Sequence, residues 1–144
     1  MAAPVDTMGC AAVANPKASP KQQRFQTLVA LMLSSQTLDT VTAPTIWKLQ
    51  RVLPHGLDLQ DMLDINEQEL DGLISKVGFH TKKAAYIKRV AVILRDEYNG
   101  DIPDTIDGLC TLPGVGEKMA HLCMTAAWKK SSFSLVRLMI GLLV

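Results

Sequence analysis

From about residue 20 to residue 130 the apolar residues recur at three- and four-residue spacing, and no stretch alternates convincingly with a period of two. A chain patterned in this way can bury its apolar surface only as packed helices. Phe25, Leu28, Val29, Met32 and Leu33 form the stripe of a core-facing first helix. Asp39 or Thr40 is expected to cap the second, which carries Val41, Ile46 and Leu49 and tolerates Pro44 only near its first turn. A short acidic helix follows at 58–64. Asn66 with Glu69 three residues on reads as a capping box for a helix bearing Leu70, Leu73, Ile74 and Val77, with Gly78 as its stop. Thr81 is expected to cap a longer helix that turns Ile87, Val90, Ala91, Leu94 and Tyr98 to one side and ends at Asn99-Gly100. Asp104 and Asp107 bracket a short helix through Leu109, and a last one carries Met119, Cys123, Ala126 and Ala127. The expectation is an all-α fold of six or seven short helices, without internal repeats. One helical domain covers 21–130, between an N-terminal segment 1–20 and an apolar tail 131–144.

The 144 residues fit one domain, and an apolar share of 48% favours a folded chain over a disordered one. Fifteen basic against fourteen acidic side chains leave a net charge of +1, so total charge says nothing about a nucleic-acid partner. The distribution is more informative. Asp58, Asp61, Asp64, Glu67, Glu69 and Asp71 form an acidic run without a base. Lys76, Lys82, Lys83, Lys88, Arg89 and Arg95 follow, and no acid comes after Glu117. One surface can therefore be basic and another acidic, although ordinary solvated helix faces would give the same pattern. The three cysteines, Cys10, Cys110 and Cys123, are odd in number and far apart, which fits neither a disulfide framework nor a metal site. No secretory or Arg-rich transit segment is visible at the N-terminus. The tail from Phe133 is interrupted by Arg137 and falls short of the ~18 apolar residues of a membrane span, so a soluble protein without a membrane partner is expected.

The most specific stretch is Leu112-Pro113-Gly114-Val115-Gly116-Glu117-Lys118-Met119-Ala120. Two glycines around a small apolar residue let the backbone turn sharply between helices, with positive φ open to each. The N–H groups of such a turn and of the following helix start have no intrahelical acceptor, and they can hold a phosphate oxygen at the positive end of the helix dipole. A grip of this kind ignores base sequence. Gly-x-Gly alone would be a mere tight turn; Leu-Pro before it, and Lys and Ala after it between two helices, make the pattern resemble the helix-hairpin-helix of DNA repair proteins, about 105–128. Lys118 sits where a cation meets the positive end of the dipole, at a cost of up to about 1 kcal/mol. The same field favours the neutral, nucleophilic amine. A solvated lysine beside a phosphate is the plainer reading of that residue.

Upstream, Leu33-Ser34-Ser35-Gln36-Thr37-Leu38-Asp39 ends the first helix in small polar residues. Ile74-Ser75-Lys76-Val77-Gly78-Phe79-His80-Thr81-Lys82-Lys83-Ala84 joins two later ones. With the hairpin, these segments resemble the endonuclease III family in three separated places and in the right order, over about 24–128. The resemblance implies a six-helix-barrel-type domain of a helix-hairpin-helix DNA glycosylase without the iron–sulfur domain. It implies a bifunctional enzyme of base-excision repair that removes oxidised pyrimidines and nicks the strand by β-elimination. Lys118 would form the Schiff base, Gln36 would fill the hole left by a flipped base, and Leu112, Gly114, Val115 and Gly116 would grip the backbone. The loop with Thr81 and Lys82 would approach the opposite strand. Double-stranded DNA with damaged bases or abasic sites would be the partner, bound by a monomer, in the nucleus and also the mitochondrion.

The family next supplies Val-Asp-Thr-His and a four-cysteine [4Fe–4S] loop, whereas this sequence runs Lys-Lys-Ser-Ser-Phe-Ser-Leu-Val after Trp128. The resemblance thus stops before the catalytic aspartate, and no cofactor is expected in these residues. Three functions remain open: an impaired glycosylase/lyase, a non-catalytic duplex-binding module, and a helical interaction protein. Lys118 and the Gln36 segment separate the first from the second. The hairpin glycines and basic residues separate both from the third. His55, His121, Cys123, Trp47 and Trp128 are read as packing or loop residues.

Overall fold

The computed structural model describes residue 14 and residues 17–128; the tail at 131–144 and most of the segment at 1–20 lie outside the described residues. Seven helices and no strand are found among the described residues: α1 Pro20–Ser34, α2 Asp39–Val52, α3 Leu59–Asp64, α4 Glu67–Leu73, α5 His80–Glu97, α6 Ile106–Cys110 and α7 Glu117–Ala126. None of them is long and apolar enough to cross a membrane.

Helix α1 is central and packs against α2, α5 and α7. Ser19 caps it by accepting from the Gln22 N–H, with Pro20 at its start, where a missing N–H costs nothing. Beyond the expected stripe, every residue from Phe25 to Leu33 is buried, including Gln26 and Thr27. Burial all round is possible because the polar atoms are satisfied: the Gln26 amide donates to the carbonyls of Gly56 (2.9 Å) and Leu57 (3.1 Å), and Thr27 Oγ1 donates to the Gln23 carbonyl. At its N-terminal end Arg24 forks onto Asp101 (2.7 and 3.1 Å) and lies 4.2 Å from the ring centroid of Trp128, whose indole N–H donates to the Pro103 carbonyl.

Several helix ends differ from the sequence reading. Helix α2 has Leu38, not Asp39 or Thr40, as its N-cap, and Pro44 lies inside it beyond the first turn. Pro44 faces solvent, as does Thr40, whose carbonyl loses its intrahelical donor, so water can take that bond. Gly78 is not the left-handed stop of α4, which ends at Leu73 with Ile74 as C-cap; the left-handed residue is Phe79, φ 57°, and it is Phe79 that caps α5 in place of Thr81. Asn66 does cap α4 through the Gln68 N–H, and Asp58 with Asp61 forms a reciprocal box at α3. Trp47 is half exposed rather than packed.

Candidate nucleic-acid interface

The hairpin at 112–116 joins α6 to α7. Leu112 and Val115 are buried and anchor it in the core, while the Val115 N–H closes the turn on the Leu112 carbonyl at 3.2 Å. The two glycines serve different ends. Gly114 has φ +80°, and a Cβ there would come within 3 Å of the Tyr86 ring; both facts demand glycine. Gly116 is the extended N-cap of α7 (φ −94°, ψ 176°), so positive φ is not needed there. A Cβ on Gly116 would meet nothing within 4 Å, which leaves that side of the turn open. The first main-chain bond into α7 runs from the Ala120 N–H to the Gly116 carbonyl (2.9 Å), so the N–H groups before it head the helix without a helical acceptor. Lys118 is exposed in this first turn, beside Glu117.

A cavity of ≈ 250 Å³ brings three separate segments together, lined by Gln36, Phe79, Lys82, Lys83, Tyr86 and Gly114. Gln36, Lys82 and Gly114, distant in sequence, thus share one site. Lys118 and Gly116 do not line it. Thr81 is turned elsewhere, its hydroxyl donating to Asp71 (3.2 Å), which also accepts from His80. Gln36 (φ 53°) and Phe79 (φ 57°) are both in the left-handed region that L side chains disfavour, and both are exposed, Phe79 by 61% and neighbouring Leu38 by 73%. Each such backbone costs about 1–2 kcal/mol. Phe79 and Leu38 are the two most exposed large apolar side chains among the described residues.

Lys83 was not singled out by the sequence reading, which counted it in a basic face. It is buried, 7% exposed, and its amine donates to the carbonyls of Leu33 (2.8 Å) and Ser35 and to Thr37 Oγ1 (3.2 Å). Burial pushes this amine below the ordinary lysine range. Lys88 is likewise turned inward, onto the carbonyls of Met62 (3.0 Å) and Ile65 at the end of α3. Arg95 pairs with Asp96. The exposed cations of the run are therefore Lys76, Lys82, Arg89 and the Asp96-paired Arg95, fewer than the sequence count implies. One signal was available: Lys83 falls in register with Ile87, Val90 and Leu94 on the buried face of α5.

Among the described residues no three His, Cys, Asp or Glu side chains are grouped to hold a metal. Cys123 is in the core and Cys110 is exposed on α6, so the described residues do not fit a four-thiolate cluster.

An all-helical domain with a glycine hairpin leading into a lysine-bearing helix is the architecture of a helix-hairpin-helix protein. The chain belongs to the HhH-GPD superfamily of base excision DNA repair proteins, whose family model matches residues 29–136. It is 54% identical over 129 residues to an endonuclease III homolog of Schizosaccharomyces pombe, covering 90% of this chain and 36% of that protein. It is 48% identical over 126 residues to endonuclease III-like protein 1 of Bos taurus, covering 88% and 40%. It thus spans well under half the length of these relatives. In structure it resembles a trapped endonuclease III–DNA covalent intermediate, with a TM-score of 0.69 at 30% identity over 74% of this chain and 48% of that one. A non-covalent endonuclease III–DNA complex aligns equally well, TM-score 0.69 at 26% identity, over 93% and 63%.

Proposed function

We propose that this chain binds damaged duplex DNA as a monomer, opens the base stack at the cavity of Gln36 and Phe79, and attacks the exposed sugar with Lys118. The observation that carries this reading is the convergence on one cavity of two strained, exposed residues and the hairpin glycine Gly114. The N–H groups heading α7 hold a backbone phosphate, and Lys82 with Arg89 adds charge without sequence preference. Gln36 and Phe79 enter the stack as the lesion leaves it, which costs least at damaged or abasic positions. The substrates are oxidised pyrimidines and abasic sites, and the compartments are the nucleus and the mitochondrion.

The chemistry falls to the Lys118 amine. At a damaged nucleotide it displaces the base from C1′, the base leaving with the amine proton, and the C1′–O4′ bond then opens to give a Schiff base; at an abasic site it adds to the ring-opened aldehyde, which loses water to give the same Schiff base. Removal of a C2′ proton then expels the 3′-phosphate and nicks the strand. Breaking the glycosidic bond builds positive charge on the sugar, which a nearby carboxylate would stabilise. Cleavage at preformed abasic sites is therefore expected to outrun release of thymine glycol, because it needs the amine but no expelled base.

The test is incubation with abasic-site duplex and borohydride, which reduces the Schiff base to a stable amine. A covalent adduct that Lys118→Gln abolishes, with binding retained, is expected. Binding without any adduct would favour the second reading, a non-catalytic hairpin module, for which the absence of Lys118 from the cavity lining is the supporting observation.

A further inference from the structure

We infer that Lys83 and Thr37 form a positioning clamp that holds Gln36 and Phe79 in one fixed relation, so that the two enter the duplex as a single rigid tool. The inference rests on the reading above, in which both residues engage the opened stack.

The loops that carry Gln36 and Phe79 are more than forty residues apart in sequence, yet one chain of hydrogen bonds runs between them. The buried Lys83 amine, on the first turn of α5, reaches back to three oxygens of the segment that leaves α1: the carbonyls of Leu33 and Ser35 and the hydroxyl of Thr37. It thereby closes the open carbonyl end of α1 on both sides of the turn into Gln36. Thr37 Oγ1 is the junction, since it also accepts from the Gly78 N–H at 3.0 Å, immediately before Phe79. Gly78 fits there because it is glycine: a Cβ would lie 3.0 Å from the Gln36 carbonyl and 3.2 Å from Thr37 Oγ1. The Phe79 carbonyl in turn accepts from the Lys83 N–H at 3.0 Å, which returns the chain to its start. Two left-handed residues exposed to water would each relax unless their surroundings over-determined them, and this closed circuit does so.

A lysine kept only for stability would be costly, because burial penalises its charge. Its position behind both strained residues gives it a second task. Lys83 and Thr37 direct these hydrogen bonds to protein groups, so their loss should spare the grip on intact DNA and weaken discrimination of the lesion.

The experiment uses the whole chain and a duplex with 2-aminopurine opposite a tetrahydrofuran abasic analogue; the fluorophore brightens when it unstacks. Variants are Lys83→Met, Thr37→Val and, as the conservative control, Thr37→Ser. Affinity for the undamaged duplex and thermal melting are followed in parallel. Thr37→Val is expected to keep undamaged-duplex affinity within about twofold, and both it and Lys83→Met to lose most of the fluorescence rise, with preference for the abasic duplex falling about tenfold. Thr37→Ser should restore both. If Lys83→Met does not fold, Thr37→Val against Thr37→Ser decides alone. A full rise and undiminished preference in Thr37→Val would overturn the clamp. A wild-type chain that binds without any rise would overturn the stack-opening reading itself, and the clamp with it.

Discussion

Leu57 and Phe79 adopt nearly the same disfavoured backbone, φ 72° and 57°, and the molecule treats them in opposite ways. Leu57 is wholly buried; its N–H donates to the Asp61 carboxylate at 3.1 Å and its carbonyl accepts from Gln26. Asp61 also accepts from the N–H groups of His55 and Asp58 and from His55 Nδ1 at 2.8 Å, so strain on this side is offset by burial and charged hydrogen bonds. Phe79 holds its ring out to water, over a cavity shared with Gln36 and the hairpin. Strain offset from within serves the fold, whereas strain left open on a surface is available to a ligand.

The comparison predicts that stability and DNA engagement respond to different residues. Asp61→Ala should cost most, about 3–5 kcal/mol in denaturant unfolding, because it strands the buried Leu57 N–H together with the partly buried N–H groups of His55 and Asp58. Leu57→Gly should cost about 2–4 kcal/mol, as the lost leucine outweighs the relief of strain. Neither should alter duplex affinity where the protein remains folded. Gly114→Val, caught between positive φ and the Tyr86 ring, should weaken duplex binding about tenfold to a hundredfold. Phe79→Gly should go the other way in stability, gaining up to about 1 kcal/mol while impairing lesion engagement. If Phe79→Gly is instead destabilising by as much as Leu57→Gly, the contrast collapses.

The smallest effect is pH dependence on the acidic side. The Asp61 hydrogen bond and charge raise the His55 pKa above 6.5. A raised folded-state value means that the contribution is complete below 6.5 and fades as pH rises through the folded pKa. The stability gap between wild type and His55→Gln should therefore be widest below pH 6.5 and narrow as pH rises above it, and a gap independent of pH would exclude the pairing.

The helices were legible because apolar spacing sets which face is buried, and the hairpin because Leu-Pro before two glycines and a lysine after them is a local pattern. The caps were less so. Thr81 looked like a cap by residue type, but Asp71 of α4 takes its hydroxyl, and Phe79 caps α5 in a conformation no propensity favours. Gly78 read as a helix stop; its smallness answers instead to Gln36 and Thr37, contacts made across forty residues. Lys83 and Lys88 read as a basic surface, since charge counts ignore register, and both turn inward to helix ends. Long-range partners, not local pattern, decide such positions.

The proposed division into a DNA-engaging face and a self-satisfied acidic side can be tested directly by amide hydrogen exchange, with and without a duplex containing the tetrahydrofuran analogue. Protection is predicted to rise at 34–38, 78–83 and 112–119, the segments around the cavity and the head of α7, and to stay unchanged at 53–71. Added protection at 53–71, with none at 112–119, would contradict the account.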